Sequence, residues 1–296
     1  MGKPFWTEYK MYYAIPNYKK VNTKYLYYHL SLINFERYDT GSTIPSMTSS
    51  LYYSLSIDLP PLKIQERIAS ILSSIDAQIE RNNNVVKRLQ VLGQAIFNRF
   101  FYSENNLIFL VDFPYIQVIK PGIIKFENKK HYIATAEIEG KQFNYNAPLI
   151  EYETRENRAN MQPISNSVWF AKMKNSIKHI YVTKNDNIIN QNYIFSTGFC
   201  GIKCEEYAFE YMVNYLNLSY FEKKKDTTSH GATMEGINNE DLKSFKVHLP
   251  AKDKLVLFHN RTKEIYYEIS KIRQITFQLT CLKDKLQPLL INGQLK

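Results

Sequence analysis

The chain has 296 residues, 44% of them apolar, with 23 tyrosines, 17 phenylalanines and only 10 glycines. That composition supplies one large core or two smaller ones and excludes a disordered or low-complexity chain. The formal charge is +10, no stretch nears the ~18 uncharged apolar residues of a membrane span, and three cysteines make no disulfide framework.

The excess charge is unevenly placed. Residues 1–102 hold 12 basic and 7 acidic side chains, residues 251–296 hold 9 and 4, and the middle, 103–250, holds 17 of each. A nucleic-acid argument therefore applies to the middle only through local clusters. Cys200, Cys204 and Cys281 are expected as free thiols in a reducing cytoplasm; Cys200-x3-Cys204 has no second pair to complete a metal site.

In chain order, the first 60 residues contain "KYLYYHLSLINFERYDTGST" (24–43), where Tyr25, Tyr27 and Tyr28 are expected in a core rather than stacked on bases. "GSTIPSMTSSLYYSLSIDLPP" follows (41–61); its run "LSIDL" predicts a strand, and Pro61 suits the first turn of a helix. Residues 62–101 place Ile68, Leu72, Ile75, Ile79, Val86, Leu89 and Ile96 at alternating steps of four and three, the heptad pattern of a packed helix. Asn82 and Gly93 interrupt that stripe.

The chain then repeats itself. At an offset of 190, "GATMEGINNEDLKSFKVHLPA" (231–251) matches 41–61: Gly231 meets Gly41, Phe245 meets Leu55, Val247 meets Ile57, Leu249 meets Leu59 and Pro250 meets Pro60. The register continues into a second stripe of Phe258, Ile265, Ile269, Ile272, Leu279 and Leu286, interrupted by Thr262, Thr276 and Lys283. A fixed offset over some 60 residues marks two copies of one unit. Two equal stripes predict an antiparallel coiled coil, since a parallel pair would force the chain back about 60 Å along the helices. The expected class is α+β: a globular head at 103–250, a shorter one at 1–60, and helices at 61–102 and 251–296 joining them as a dumbbell. The head preceding the first helix matches only the late part of the second head. "KYLYYHLSLINFERYDTGST" parallels "EYMVNYLNLSYFEKKKDTTSHGAT", so about 90 residues of a first head are expected to be missing.

The run "LPPLKIQERIASILSSID" (59–76), with "RENRANMQPISNSVWFAKMKNSIKHIYV" (155–182) and "FSTGF" (195–199), resembles the specificity subunits of type I restriction-modification enzymes. The second helix, "LPAKDKLVLFHNRTKEI", lacks the Pro-Pro and Gln-Glu features and is placed by the repeat alone. The resemblance implies target-recognition domains that each read half of a split double-stranded DNA site, with the long helices as the ruler between them. It implies a non-catalytic subunit that recruits two methyltransferase (modification) subunits and restriction subunits. With a short first domain, half-site reading or self-association through the helices is expected.

The residues agree about the chemistry. No phosphate-binding glycine loop, nucleotide fingerprint or amino-methylation motif is present, and no cofactor is expected. The six histidines are scattered. DNA contact needs cations for phosphates, and amides, hydroxyls or arginines for base edges. Between 155 and 184 the chain concentrates Arg155, Arg158, Lys172, Lys174, Lys178 and Lys184 against one acid, Glu156, with Asn160 and Gln162 in a predicted loop before a strand that turns near 171–174. In that strand Val168, Phe170 and Met173 are expected inward. A second cluster, Lys223, Lys224 and Lys225 followed by Thr228, Ser229 and His230, is expected as a loop tip. The alternatives are a solvated basic face, and a coiled-coil regulator that binds partner subunits without reading DNA.

Overall fold

The structure, a computed structural model, describes residues 15–38, 48–139, 142–143, 147–231 and 235–294. The matching tips around Gly41, Thr43, Ile44 and Met47, and Thr233 and Met234, lie outside them. In chain order the helices are α1 (Thr23–Leu30), α2 (Ser49–Ser54), α3 (Leu62–Phe101), α4 (Asn187–Asn192), α5 (Phe209–Leu216), α6 (Ser219–Thr228) and α7 (Lys252–Ile291). Among the described residues every strand lies between α3 and α7: β1 (Leu107–Phe109), β2 (Ile116–Val118), β3 (Lys130–Ile133), β4 (Ile138–Glu139), β5 (Gln142–Phe143), β6 (Leu149–Ile150), β7 (Ala159–Met161), β8 (Ser167–Ala171), β9 (His179–Val182), β10 (Tyr193–Ser196), β11 (Phe199–Cys204) and β12 (Lys246–His248). The chain divides into two units, Met1–Glu80 with Gln278–Lys296, and Arg81–Phe277.

Heptad spacing makes α3 and α7 long, and their apolar stripes make them pair. None of the stripe residues is exposed. In the first unit Ile68 and Leu72 pack with Leu286 and Leu290, while Lys283 reaches Asp76 at 2.7 Å, so the two segments run antiparallel. In the second unit Val86, Leu89 and Ile96 join Phe258, Ile265 and Ile269 in one core. There Asn82 Nδ2 donates to Thr276 Oγ1 at 3.1 Å, and Phe97, Phe100 and Phe101 cluster on Phe258, again antiparallel.

The polar interruptions answer one another across this seam. Asn82 meets Thr276, and Lys283 meets Asp76 and lies 5.6 Å above the Tyr28 ring. At Gly93 a Cβ would stand 2.8 Å from Tyr266 Oη, so only glycine leaves room for the tyrosine. Thr262 is wholly buried and satisfies its hydroxyl on the Phe258 carbonyl of its own helix.

α1 begins where the Asn22 side chain caps the amides of Lys24 and Tyr25. It buries Tyr25 and Tyr28, leaves Tyr27 exposed, and is held by Tyr28 Oη donating to Asp76 at 2.6 Å and by Gln287 donating to the Tyr28 carbonyl. Gln65, 1% exposed, donates to the carbonyls of Lys20 and Pro60 and accepts from the Asn22 amide, fastening this segment to α3. Pro61 stands one place ahead of α3, its carbonyl accepting from Ile64 and Gln65. The strand expected at 55–59 is absent, because no described residue offers it a ladder partner, whereas its copy at 245–249 forms β12 on β1.

The head is built on two four-stranded sheets, in the orders β2-β11-β8-β9 and β6-β3-β10-β7. The first is antiparallel; in the second, β10 pairs β3 parallel and β7 antiparallel. β8 corrects the alternation expected of it, since all five residues are buried. Val168 and Phe170 pack toward α5, α3 and α7, while Trp169 and Ala171 pack against Ile133, Met161 and Phe195 of the second sheet. A strand covered on both faces reads as a continuous apolar run. Met173 lies beyond it and is partly exposed. A polar belt fixes the head to α7: Ser270 Oγ donates to Asp186 at 2.7 Å, Gln274 to the Asn185 carbonyl at 2.7 Å, and Arg273 lies 3.9 Å over the Tyr181 ring.

Candidate nucleic-acid interface

The basic stretch after β8 is a short hairpin whose tip is fixed from three sides. The ladder closes through the Ala171 amide on the Lys178 carbonyl at 3.0 Å, and Asn175 turns the chain with φ +56°. From beneath, Asp226 Oδ1 on α6 accepts the Asn175 amide at 2.9 Å, and Lys225 Nζ donates to the Ser176 carbonyl at 2.8 Å. From one side, residues 235–237 add a short extended pairing: the Lys174 amide donates to the Glu235 carbonyl and the Ile237 amide to the Lys172 carbonyl, both at 3.0 Å. From the other, the Lys172 amide donates to the Gly198 carbonyl at 2.9 Å.

Around the Thr197–Gly198 turn three of the expected cations meet. The Thr197 amide donates to the Arg158 carbonyl at 2.8 Å. A guanidinium nitrogen of Arg158 lies 3.1 Å from where a Cβ on Gly198 would stand, so glycine is what admits the arginine. Lys178 Nζ donates to the Thr135 carbonyl at 2.7 Å. Burial of Lys172 holds its ammonium below the usual lysine range; the Cys200 thiol opposes this and the Arg158 charge adds to it. Arg158 and Lys172 make no ion pair with a described residue. Cations gathered at one turn favour an anion there, although the Glu156 carboxylate lies close enough to act with Arg158 on the Tyr132 hydroxyl.

Beneath the hairpin lies a buried charge network. His179 Nε2 and Lys225 Nζ both stand 2.7 Å from the Glu222 carboxylate. Burial pushes the Glu222 carboxyl up, but the hydrogen bonds from His179 and Lys225 outweigh it and leave it below the usual range.

Several sequence expectations change here. Lys225 is wholly buried and holds the hairpin, so it is not a phosphate contact on a loop; the run 222–228 is helical within α6, because Phe221 and Lys225, one turn apart, both face the core. Asn160 lies in β7 rather than a loop, half-buried between Ala159 and Met161. Arg155 is engaged locally, donating to the Tyr152 carbonyl and stacking 4.0 Å over that ring. Gln162 accepts from the Ile124 amide and donates to the Asn190 carbonyl. Lys174 pairs with Glu235. Lys223 is exposed and Lys224 half-exposed on α6; Thr228 ends that helix, Ser229 Oγ caps the Lys225 carbonyl, and exposed His230 pairs with Gly236. Cys200 and Cys204 are buried free thiols, the first pushed up to about 12 by burial. Sequence reasoning missed the supports Asp226, Glu222 and Thr135; an acid inside a basic run was the one available signal for the first two.

A family model described as "Type I restriction modification DNA specificity domain" matches residues 1–90. A putative type I restriction enzyme MjaX specificity subunit from Methanocaldococcus jannaschii is 22% identical over 302 residues, covering 95% of this chain and 70% of that relative. Among solved structures, the type I restriction-modification S subunit from M. genitalium aligns with a TM-score of 0.47 at 13% identity, over 92% of this chain and 73% of that one. The HsdS subunit from Thermoanaerobacter tengcongensis aligns with a TM-score of 0.39 at 13% identity, over 94% and 72%. The family model over residues 1–90 and the relative aligned along nearly the whole of this chain both make it similar to the specificity subunits of type I restriction-modification systems.

Proposed function

We infer that the head, 103–250, is a target-recognition domain reading one half of a split duplex-DNA site through the surface of Arg158, Lys172 and Lys178. Residues 1–60 correspond to the closing part of a second such domain, and the helices at 61–102 and 251–296 set the spacing and hold two modification subunits and the restriction subunits. The chain carries no catalytic centre of its own and works in the cytoplasm. The observation that carries this reading is the meeting of Arg158 and Lys172 at the Thr197–Gly198 turn, the Arg158 guanidinium packed on Gly198 and the Lys172 amide bonded to the Gly198 carbonyl. On this reading phosphate contacts from such cations position the protein, while polar groups such as Asn160, Thr197 and exposed His230 address bases.

The test is duplex binding by the purified chain together with its modification subunits, across salt concentrations. Sequence-dependent affinity that falls steeply with salt is expected. Reversing Arg158 and Lys172 to Glu is expected to abolish specific binding and to lower the salt slope by about one for each phosphate that is no longer neutralised. Equal affinity for any duplex, or indifference to both reversals, would favour a helical scaffold that binds subunits alone. Sedimentation across concentration would report self-association through the helices.

A further inference from the structure

Among the described residues, the internal repeat makes one half of a pairing and not the other. In the second unit, the run Phe245–Leu249 is covered along its edge by the segment that follows α3. β12 pairs antiparallel with β1, in the register Leu107 to His248, Ile108 to Val247 and Phe109 to Lys246. The ladder is extended at both ends, by the Leu110 amide on the Phe245 carbonyl and the Leu249 amide on the Asn106 carbonyl, each at 2.8 Å. Leu110 and Phe113 then close over Phe101 and Phe258 in the main core.

In the first unit, the matching run Leu55–Leu59 has the same alternation, the same proline after it and the same helix beyond. Yet it forms no strand, and the amides of Ser56 to Leu59 bond to no described residue. Beside it opens a groove of about 700 Å³ lined by Leu59, Ile64, Ile71, Leu290 and Ile291, with Arg67. Leu59 is 41% and Ile64 44% exposed. At the 190-residue offset, Leu59 corresponds to Leu249, and Leu290 and Ile291 to Phe100 and Phe101, residues that the segment 106–113 covers in the second unit.

The geometry points to a docking site for an extended strand here: the run Leu55–Leu59 and its groove receive, antiparallel, an apolar segment of the type Asn106–Leu110 supplied by another polypeptide chain. Main-chain bonds to an open edge give such docking its affinity, and pockets for alternate side chains its selectivity. The chemistry of the occupant is read from the second unit, where the equivalent edge already holds such a strand. The inference stands independently of DNA reading.

The probe is a labelled synthetic peptide of residues 104–116, titrated onto the full chain, with a scrambled peptide and an Ile108→Pro peptide as controls. Expected are saturable binding of the native peptide alone, hydrogen-exchange protection appearing at 55–59, and at least tenfold weaker binding to an Ile64→Glu chain. Ile64 is exposed enough for that variant to fold, which circular dichroism checks. No binding, equal binding of the scrambled peptide, indifference to Ile64→Glu, or protection confined to 245–249 would overturn the proposal. A concentration-dependent dimer that excludes the peptide would assign the groove to a second copy, and would overturn it equally.

Discussion

Lys225 illustrates how far one side chain's role depends on where it is carried. In sequence it is the third lysine of a basic run; in the fold its ammonium lies between Glu222 and the Ser176 carbonyl with no exposure to solvent. Lys225→Met is expected to cost about 3–5 kcal/mol in denaturant unfolding, because it strips a partner from a buried carboxylate. Lys223→Met, on the exposed face, is expected to change stability little. Asp226→Ala removes the acceptor of the Asn175 amide, so that amide should exchange faster while the sheet amides keep their protection. The lowered Glu222 carboxyl also sets a pH dependence. Its contribution is fully present above the usual glutamate range and is lost as pH falls through that range to the lowered value. A Glu222→Gln chain should therefore show a weaker loss of stability on acidification than the parent. Burial of Lys225 was not legible in the sequence, because its acceptor, the Ser176 carbonyl, lies 49 residues away and is delivered by tertiary packing.

At the level of elements, the long helices were legible because heptad spacing is a local property of each stripe. Their mutual register was not. Asn82, Gly93, Thr276 and Lys283 read as flaws until the antiparallel pairing sets Asn82 on Thr276, Gly93 on Tyr266 and Lys283 on Asp76. Gly93→Ala is expected to destabilise by about 1–3 kcal/mol, since the added methyl overlaps the Tyr266 hydroxyl, itself held by Asn214 at 2.7 Å. Chemical denaturation measures this, and Tyr266→Phe in the same chain should recover part of the loss. β8 misled for a different reason: alternation presumes one wet face, and this strand has none. The strand expected at 55–59 failed because a ladder is a property of two segments, and periodicity within one of them says nothing of the other.

Across the whole chain, charge follows function unevenly. The middle is neutral in sum yet gathers Arg158, Lys172 and Lys178 at one turn, which a net count conceals. The helices also enter both units: α3 and α7 each supply residues to the core of the first and to the core of the second. Heat unfolding is therefore expected as one calorimetric transition, and weakening the first unit by Gln65→Ala should lower the midpoint of that single event. Two resolved transitions would show that the helices fray between the cores.

The pairing of β1 with β12 has a consequence for exchange of parts. The polypeptide leaves the helical pair and returns to it at adjacent positions, Leu107 opposite His248, so both covalent crossings into the intervening segment lie side by side. Transplanting that segment onto a related helical pair asks for two cuts at one place, and for a recipient that keeps partners equivalent to Ser270, Arg273 and Gln274. Where those partners are kept the graft should fold, and on the proposed reading duplex-binding assays should follow the donor segment rather than the recipient helices.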